Sequence, residues 1–579
     1  MRGVPAQSRP VPVAHPPVGE THYPQRVDIV LAPVESGATL ITLGPDLRPT
    51  TSSTVGWPDL GPAVEEYERQ SPRWIWAETA ALYPRLLRAG TTVGRCFDLR
   101  LCHVIVRNAT ATATSELARS ATGPWDVPVV PLDDQGPTLL DDSEPIGAFS
   151  ADLVLAEYRL VDEAVRQATD PGRLRMLLAA ESAGALVAAE MKFRGLPWRT
   201  DVHDQQLTEL LGPRPRQGGR PPTLEDLAVR IRELLEAPGL NPDSPVELLR
   251  ALRANGIEAT TTRKWELEKF SHPVIDPLLR YKKLSRLLAA NGWVWMDSWV
   301  RDGRFHPDYV PGGVVTGRWA TSGGGALQLP KQIRRAVMAD PGCKLVVADA
   351  AQLEPRVLAA MSRDERMAEA SRGLDLYQGL VDAGIVDNRA HAKVAMLGAL
   401  YGATSGEAGQ LMPRLMRAYP KATQWVEDAA RSGERGEVVS TWLGRSSPRP
   451  PQSWQQVQRR ASEVDAGQLD ERLARRRARD WGRFTRNFVV QGTAAEWALC
   501  WMANLRHRLR TLARAGEMDP HLVFFLHDEV IVHTPGSLAP AVEAAIHQAA
   551  DEAGRLLFGS FPVEFAVKTV TVDNYGEAK

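Results

Sequence analysis

Cysteine is scarce in this chain: 579 residues contain four, at positions 96, 102, 343 and 500. So few thiols exclude a disulfide framework and a cysteine-rich zinc module. Long apolar runs are also missing, because none reaches the roughly 18 residues that a membrane-spanning helix needs. The residues after Met1 form no apolar signal core. We therefore expect a reduced, soluble, cytoplasmic protein with no membrane partner.

An excess of charge of either sign is absent as well. The chain has 69 Lys+Arg against 70 Asp+Glu, for a formal net charge of −1. This balance excludes a histone-like polycation but is compatible with a basic cleft, so nucleic-acid binding stays open. Hydrophobic residues make up 44% of the chain, which is ordinary for a globular protein. The length suggests about three or four units of domain size.

The pattern of elements changes along the chain. The first 25 residues include six prolines and are typical of a disordered tail. The next segments predict a mixed α/β domain with paired strands at Val27–Ala32 and Ala38–Leu43, a helix at Trp74–Arg88 and another strand at Leu101–Val106. From about Asp170 onward helical periodicity dominates, beginning with a helix over Leu174–Arg194. Further on, Ser244 and Pro245 are typical of an N-cap and a first helical position.

Acidic residues follow two apolar strand candidates in the second half of the chain. Lys344–Ala348 leads into Asp349, and Leu522–Leu526 leads into His527-Asp528-Glu529 before a second apolar run. The simplest structure for the later segment is a β-hairpin with the polar triplet at its tip. Carboxylates at strand ends suit Mg²⁺, which takes oxygen ligands from protein and phosphate. For either acid alone, a turn or helix cap is the plainer alternative.

Four residues recur at intervals of four in one predicted helix: Arg389, Lys393, Leu397 and Tyr401. At 3.6 residues per turn they share one broad helical face. Cations and an aromatic ring on one face suit a triphosphate and a stacked base. The alternative is an ordinary amphipathic helix whose cations are solvated.

Taken together and in this order, the motifs resemble those of family A DNA polymerases, the class of bacterial DNA polymerase I. Asp349–Arg356 resembles motif A, Arg389–Gly402 resembles motif B, and His527-Asp528-Glu529 resembles motif C. Further similar segments are Asn241–Pro245 at a thumb helix, Thr316-Gly317-Arg318 and Leu327-Gln328 before motif A, and Gln491–Ala495 before motif C. The resemblance covers about residues 171–579. Among family members, the chain is most similar to actinobacterial proteins described as bifunctional 3′–5′ exonuclease/DNA polymerase.

The resemblance implies an α+β multidomain fold. After a tail at 1–25, we expect a degenerate, RNase H-like exonuclease domain at 26–170, with no 5′-nuclease domain before it. A right-hand polymerase domain would follow at 171–579. Its thumb would span about 195–300, its palm about 301–365 and 481–579, and its fingers about 366–480.

The resemblance also implies an activity and its partners. The chain would extend a primer 3′-hydroxyl on primer–template DNA with dNTPs, as a monomer, in repair or replication gap filling. It would be cytoplasmic and associated with the nucleoid. Two Mg²⁺ ions, replaceable by Mn²⁺, would be held by Asp349 and Asp528. Glu529 would support the second acid, and Lys393 would donate a proton to pyrophosphate.

Roles at the substrates follow from the same resemblance, with Glu354 as the gate that excludes a 2′-hydroxyl. The residues expected to bind the nucleotide are Arg389, Lys393, Leu397, Tyr401, Gln352, Glu354 and Tyr377. Those expected to bind DNA are Arg318, Arg356, Asn487, Gln491 and His527. Seven arginines against one acid between Arg472 and Arg486 suit contacts to the template backbone, or else form a solvated helix face.

Four positions depart from the family pattern, and one of them is Tyr377, which stands where a His is common. Ala350 and Ala351 follow the first acid, and Leu397 stands where an aromatic residue is usual. No metal ligand or phosphate-binding cation is lost, so we expect activity with altered nucleotide kinetics.

The N-terminal segment lacks the Asp-x-Glu that a two-metal exonuclease needs on its first strand. It offers only Asp28, Asp98 and a Tyr158-x3-Asp162 spacing, so we expect a structural remnant. The alternatives are an additional active proofreading exonuclease and a catalytically weak protein that binds primer–template junctions.

Overall fold

A computed structural model of the chain describes residues 27–578, except 127–148, 217, 323–324, 326–328, 374, 403–405 and 514–517. The expected tail at 1–25 and the Leu327-Gln328 motif lie outside the described residues. Within these ranges, no helix combines the length and apolarity needed to cross a membrane.

The N-terminal region is built on a five-stranded sheet with five helices around it. Its strands are β1 (Asp28–Val34), β2 (Gly37–Leu43), β3 (Pro49–Gly56), β4 (Arg73–Trp76) and β5 (Arg95–Asp98). The strand order is β3-β2-β1-β4-β5, antiparallel among the first three and parallel from β1 through β4 to β5. The predicted pairing of the first two strands is confirmed. The helices are α1 (Trp57–Glu68), α2 (Thr79–Arg88), α3 (Leu99–Asn108), α4 (Glu116–Arg119) and α5 (Ala151–Arg166).

Two sequence predictions are wrong in this region. The helix predicted over Trp74–Arg88 begins only at Thr79, because Trp74, Ile75 and Trp76 form a fully buried inner strand. The strand predicted at Leu101–Val106 lies inside α3, which Asp98 caps by accepting from the Leu101 amide at 3.1 Å. Short apolar runs fit both element types, and their periodicity alone does not decide between them.

A 24-residue helix, α6 (Pro171–Arg194), leads out of this region and ends at Gly195 with φ +70°. The next segment is mostly helical, with short strands β6 (Leu196–Pro197), β7 (Val300–Arg301) and β8 (Arg304–Phe305) forming one small sheet. Ser244 caps one of its helices as predicted, accepting from the Glu247 amide at 3.3 Å. These helices are α7 (Thr200–Leu211), α8 (Pro222–Leu234), α9 (Pro245–Ala254), α10 (Lys264–Leu267), α11 (Ile275–Asn291) and α12 (Trp293–Trp299).

A four-stranded antiparallel sheet forms the base of the C-terminal region. After the two-stranded pair β9 (Tyr309–Val310) and β10 (Ala320–Thr321), its strands are β11 (Cys343–Ala350), β12 (His521–Leu526), β13 (Glu529–Pro535) and β14 (Val567–Val572). The order is β12-β13-β11-β14, with Asp349 opposite Glu529. The buried faces of these strands join the helices in one hydrophobic core.

Helices cover and extend this sheet. They are α13 (Leu353–Ser362), α14 (Glu365–Ala370), α15 (Leu376–Asp382), α16 (Arg389–Tyr401), α17 (Gly406–Ala418), α18 (Pro420–Glu434), α19 (Gln452–Ala461), α20 (Gln468–Leu512) and α21 (Ala539–Phe558). The longest, α20, packs against α6, and Gly184 lets the two approach closely. A Cβ atom at Gly184 would lie 2.5 Å from a methyl carbon of Leu499. The mixed α+β architecture agrees with the expectation from sequence.

Candidate active site

Two acidic residues meet at one edge of the C-terminal sheet. Asp349 is the penultimate residue of β11, and Asp528 lies in the two-residue turn between β12 and β13. The Ala350 amide donates to the Asp528 carbonyl at 2.9 Å, which holds the turn against the end of β11. His527 adopts φ +59°, a left-handed conformation that closes the tight turn. The predicted hairpin with a polar tip is confirmed.

Glu529 is placed differently from the two aspartates. It is 2% exposed, and its carboxylate accepts a hydrogen bond from the Tyr575 hydroxyl. Burial and the neighbouring Glu529 charge raise the pKa of Tyr575, so this hydroxyl remains a donor. Glu529 is therefore anchored inside the sheet. Tyr575 was not found from sequence, because nothing in its local pattern reveals a partner 46 residues away.

The carboxylate oxygens at this edge fit a cation whose ligands come partly from the protein and partly from a substrate. Among the described residues, no group of three or more His, Cys, Asp or Glu side chains forms a complete protein metal site. Mg²⁺ is commonly bound through one or two carboxylates together with substrate phosphates and water. Asp349 and Asp528, at a strand end and in the adjoining turn, are such a pair.

A cavity of about 310 Å³ opens beside Asp528. The residues that line it come from a span of more than 200 residues, from Gly317 to Asp528. The residues predicted to bind substrates that line it are Arg318, Gln352, Glu354, Tyr377, Leu397, Tyr401 and His527. Apolar side chains complete the wall, among them Trp319, Leu499, Met502 and Phe525. The cavity thus has a mixed lining, with the carboxylate edge at one side.

Glu354 occupies the centre of a polar network in this cavity. One carboxylate oxygen is paired with Arg318, and the other accepts from the Tyr401 hydroxyl at 2.9 Å. Burial and the Glu354 charge raise the pKa of Tyr401 to about 12. The Tyr401 hydroxyl therefore stays protonated at neutral pH and remains a donor to Glu354.

Gln352 connects the sheet edge to α15. Its side-chain oxygen accepts from the Leu376 amide at 3.1 Å, and its backbone is left-handed at φ +47°. This contact positions the start of α15, which carries Tyr377 into the cavity wall. Gln352 therefore lines the cavity and also orients a second lining residue.

The helix α16 presents its cations to solvent. It begins after the N-cap Asn388 and ends at Gly402, which adopts φ +70°. These bounds confirm the helix predicted from the four-residue spacing. Arg389 pairs with Asp375 at 2.7 Å, and its guanidinium lies 5.6 Å from the centre of the Tyr377 ring. Lys393 is exposed one turn further along the same face.

The long helix α20 supplies two further predicted residues, Asn487 and Gln491, on its cavity side. Both are half-buried, and the Oδ1 atom of Asn487 has no hydrogen-bond partner within the described part of the chain.

Arg486, the last residue of the arginine run, is buried. It donates to the Ala399 carbonyl at 3.0 Å and pairs with Glu427, so it fixes the end of α16.

Arg356, which the sequence predicts to bind DNA, is buried in the structure. This side chain is 1% exposed, and burial lowers its pKa to about 10. Its guanidinium donates to four backbone carbonyls, those of Ala351, Ser371, Gly373 and Glu564. Arg356 therefore connects three backbone segments, around residues 351, 371–373 and 564.

The acidic residues of the N-terminal region have separate structural contacts. Asp28 is buried and bound by Arg73 and the Tyr158 hydroxyl, each at 3.0 Å. Asp98 accepts from the Thr79 amide at 2.7 Å and caps α3, and burial raises its pKa. Asp162 pairs with Arg166 on the same helix. Within the described ranges these carboxylates form no cluster suited to a metal.

Comparison with known families agrees with this arrangement of sheet edge, cavity and cationic helix. The model of DNA polymerase family A matches residues 223–577, more than half of the chain. The chain belongs to this family, as its motifs indicated.

Individual relatives are distant. The thermostable DNA polymerase I of Thermus filiformis is 27% identical over 451 residues, which cover 70% of this chain and 50% of that protein. DNA polymerase I of Geobacillus stearothermophilus is 24% identical over 444 residues, or 69% of this chain and 45% of that protein. The chain thus spans about half the length, or less, of these curated relatives.

A solved structure gives the same fold over nearly the whole chain. It is described as the POL domain of Pol1 from M. smegmatis in complex with DNA primer-template and dNTP. The TM-score is 0.65 at 19% identity, with 96% of each chain covered. The expected α+β polymerase fold is confirmed.

Proposed function

We propose that this chain is a template-directed DNA polymerase. It would extend a primer 3′-hydroxyl with deoxynucleoside triphosphates and release pyrophosphate, in repair or replication gap filling. The observation that carries the proposal is the meeting of Asp349 and Asp528 at one sheet edge beside a cavity lined by Glu354 and Tyr401. Family membership supports it, as does the likeness to a polymerase domain solved with primer-template and dNTP.

Asp349 and Asp528 would hold the divalent ions, two Mg²⁺ with Mn²⁺ as a substitute. When bound, such ions stabilise charge on a reacting phosphate and lower the pKa of an attacking hydroxyl. Glu529 would act through the sheet, because Tyr575 keeps its carboxylate in place beside the turn.

Arg389 and Lys393 would bind the β- and γ-phosphates of the nucleotide. Both lie exposed on the same face of α16, so their charges are available to a triphosphate. Lys393 is the proposed proton donor to the departing pyrophosphate, since an ammonium can give up a proton while still stabilising the anion. Asp375 would release Arg389 or share it with the phosphates.

The cavity would receive the sugar and base. Glu354, fixed from both sides, would occupy the space of a 2′-hydroxyl and so select deoxynucleotides. Leu397 and Tyr377 would contact the nucleotide, and Tyr401 would stand at the template-base position. Leu397 presents no ring to the base, which predicts weaker stacking than an aromatic residue would give.

DNA would lie along α20 and the turn that carries Arg318. Arg318, Asn487, Gln491 and His527 are the proposed donors to the minor groove, where acceptors occur at every base pair. Arg472, Arg476 and Arg479 are exposed at spacings of four and three residues, so they share one face of α20. That face would contact the template backbone.

We propose the domain limits given by the motif order, with an exonuclease-like remnant at 26–170 and the thumb, palm and fingers after it. The strand ends of the N-terminal sheet bear Asp28 and Asp98, each held by structural contacts, which supports a remnant without its own chemistry.

Primer extension with Mg²⁺ tests the proposal. We expect the wild type to extend an annealed primer, and Asp349→Asn and Asp528→Asn to lose extension by at least about 10³-fold. Asp226→Asn removes an exposed carboxylate on α8 and should extend like the wild type. Absence of extension by the wild type with either Mg²⁺ or Mn²⁺, or normal extension by the Asp349 variant, would exclude the proposed activity.

A further inference from the structure

The segment between α18 and α19 contains a short hairpin-like loop, residues 439–447. The Thr441 amide donates to the Arg445 carbonyl at 2.9 Å, and the Ser447 amide donates to the Val439 carbonyl at 2.8 Å. No motif noted in the sequence includes this loop. It lines no part of the cavity, yet it lies between the cavity and the N-terminal region.

Buried hydrogen bonds attach the loop to α20. The Glu496 carboxylate accepts from the Leu443 amide at 3.0 Å and from the Thr441 hydroxyl. The Thr493 hydroxyl oxygen accepts from the Trp442 amide at 3.0 Å. The backbone of the 439–447 loop is therefore held at a fixed position along the long helix.

The loop also contacts the N-terminal region. The Thr110 amide donates to the Ser446 hydroxyl oxygen at 2.9 Å, and the Thr110 and Ser440 hydroxyls are 3.2 Å apart. Arg173, at the start of α6, lies over the Trp442 ring at 4.1 Å. The loop at residues 439–447 is thus in contact with α20, with the N-terminal region and with the start of α6.

Arg445 carries this support toward the cavity. Its side chain is 12% exposed and pairs with Glu181 of α6, whose side chain is 1% exposed. The guanidinium packs against Gly317. A Cβ atom at Gly317 would lie 2.6 Å from Arg445 Nε, and Gly317 adopts φ +84°, so contact and conformation both require glycine there.

Gly317 belongs to the turn that precedes Arg318. Within it the Gly317 amide donates to the Val314 carbonyl at 2.8 Å, and the Val314 amide donates to the Arg318 carbonyl at 3.1 Å. The Arg318 side chain then pairs with Glu354. An unbroken series of contacts therefore runs from Glu181 to Glu354.

We propose that Arg445 is a positioning residue of the nucleotide site. Held by Glu181, it supports the turn at residues 314–318 so that Arg318 keeps Glu354 in place. The effect of Arg445 on substrate choice rests on the proposed function, in which Glu354 excludes the 2′-hydroxyl. The effect of Arg445 on the structure of the turn is independent of that function.

The chemistry of the pair explains why its loss would be felt at a distance. Arg445 Nε and the second carboxylate oxygen of Glu181 are buried with no hydrogen-bond partner in the described structure. Removing either partner leaves the other charge uncompensated in a low-dielectric site, which favours rearrangement of the loop. Lysine would keep the charge but not the flat guanidinium that packs on Gly317.

Hydrogen exchange of the full chain tests the support directly. We expect Arg445→Met and Glu181→Gln to raise amide exchange in residues 313–320 by about tenfold, and Arg445→Lys to lie between them and the wild type. Arg449→Met is the matched control, because Arg449 is exposed four residues further on. Unchanged exchange in this segment in the folded Arg445 and Glu181 variants would overturn the inference, whether or not the protein extends primers.

Nucleotide selection tests the connection to Glu354. In Arg445→Met we expect the ratio of ATP to dATP incorporation, as kcat/KM, to rise about tenfold, in line with the loss of a charged hydrogen bond. Arg445→Lys should recover part of the discrimination. Arg318→Met should give a similar rise, and the double variant should show little more than either single change.

The outcomes separate the two proposals. A wild type that extends no primer excludes the proposed function, while the exchange measurement still decides the support of the turn. An active wild type with faster exchange in the variants, but an unchanged ATP to dATP ratio, would refute the positioning of Glu354. Where Arg445→Met fails to fold, Glu181→Gln carries the same expectations, and Arg445→Lys carries them in reduced size.

Discussion

The hydroxyl of Tyr401 donates a 2.9 Å hydrogen bond to one oxygen of the Glu354 carboxylate, while Arg318 is paired with the other oxygen. The three residues come from the end of α16, the start of α13 and the turn before β10. Glu354 is therefore held from two sides in the free protein. A residue that selects by excluded volume gains from such restraint, because a mobile side chain would move aside for a larger substrate.

Tyr401→Phe should relax this restraint while keeping the ring. We expect ribonucleotide incorporation relative to deoxynucleotide incorporation to rise about tenfold, because a hydrogen bond to a charged group contributes about 1.5 kcal/mol or more. Glu354→Ala, which removes the blocking group, should give a larger rise. The measurement is kcat/KM for ATP and dATP on one template. A Glu354→Ala enzyme that discriminates like the wild type would mean that another residue excludes the 2′-hydroxyl.

The arginine face of α20 should be visible in salt dependence. We expect replacement of Arg472, Arg476 and Arg479 by Gln to make the salt dependence of DNA binding shallower. For a template with a long single-stranded overhang, the negative slope of log K for binding against log[salt] should decrease in magnitude by about 2, or roughly 0.7 per lost phosphate contact. The control replaces Arg48, Arg69 and Arg88, which are exposed in the N-terminal region. Equal slopes for both triple variants would show that the face is only solvated.

Arg356→Met should act on stability and not on DNA affinity. The change removes the shared donor of four backbone carbonyls from a buried position, so we expect the free energy of unfolding to fall by about 3 kcal/mol. Denaturant titration measures this loss, with Arg366→Met on the exposed side of α14 as the control. Unaltered stability together with weaker DNA binding would restore the role predicted from sequence.

The N-terminal region should not trim DNA. Its acids are occupied in separate contacts, so a primer with a 3′ mismatch should stay intact when incubated with Mg²⁺ and excess enzyme without nucleotides. Gel analysis over hours provides the measurement. Trimming that disappears in Asp98→Ala or Asp162→Ala would instead show an active proofreading site.

The sequence predicts those parts of the site that local pattern determines. Asp349 lies near the end of a buried strand, Asp528 lies at a hairpin tip, and the helix from Arg389 to Tyr401 has an N-cap and a terminal glycine. Each of these signals spans fewer than about 15 residues, so it can be read without the fold.

Contacts between residues far apart in the chain cannot be predicted from a local sequence pattern. Arg356 binds a carbonyl 208 residues away, Tyr575 binds Glu529 across 46 residues, and Arg445 pairs with Glu181 across 264. An arginine has the same helical spacing whether its partner is a phosphate or a backbone carbonyl. Only burial distinguishes the two, and the family resemblance that predicts a DNA contact for Arg356 carries no information about burial.

The helix α20 is a single unbroken element of 45 residues, about 68 Å long, that carries exposed arginines near one end and Asn487 and Gln491 near its middle. Each residue on it is turned about 100° from the next. Deleting one residue between Arg483 and Asn487 would therefore rotate every arginine of the exposed face by that angle relative to the cavity. The number of residues along this stretch therefore sets the direction of the arginine face, whatever side chains the stretch carries.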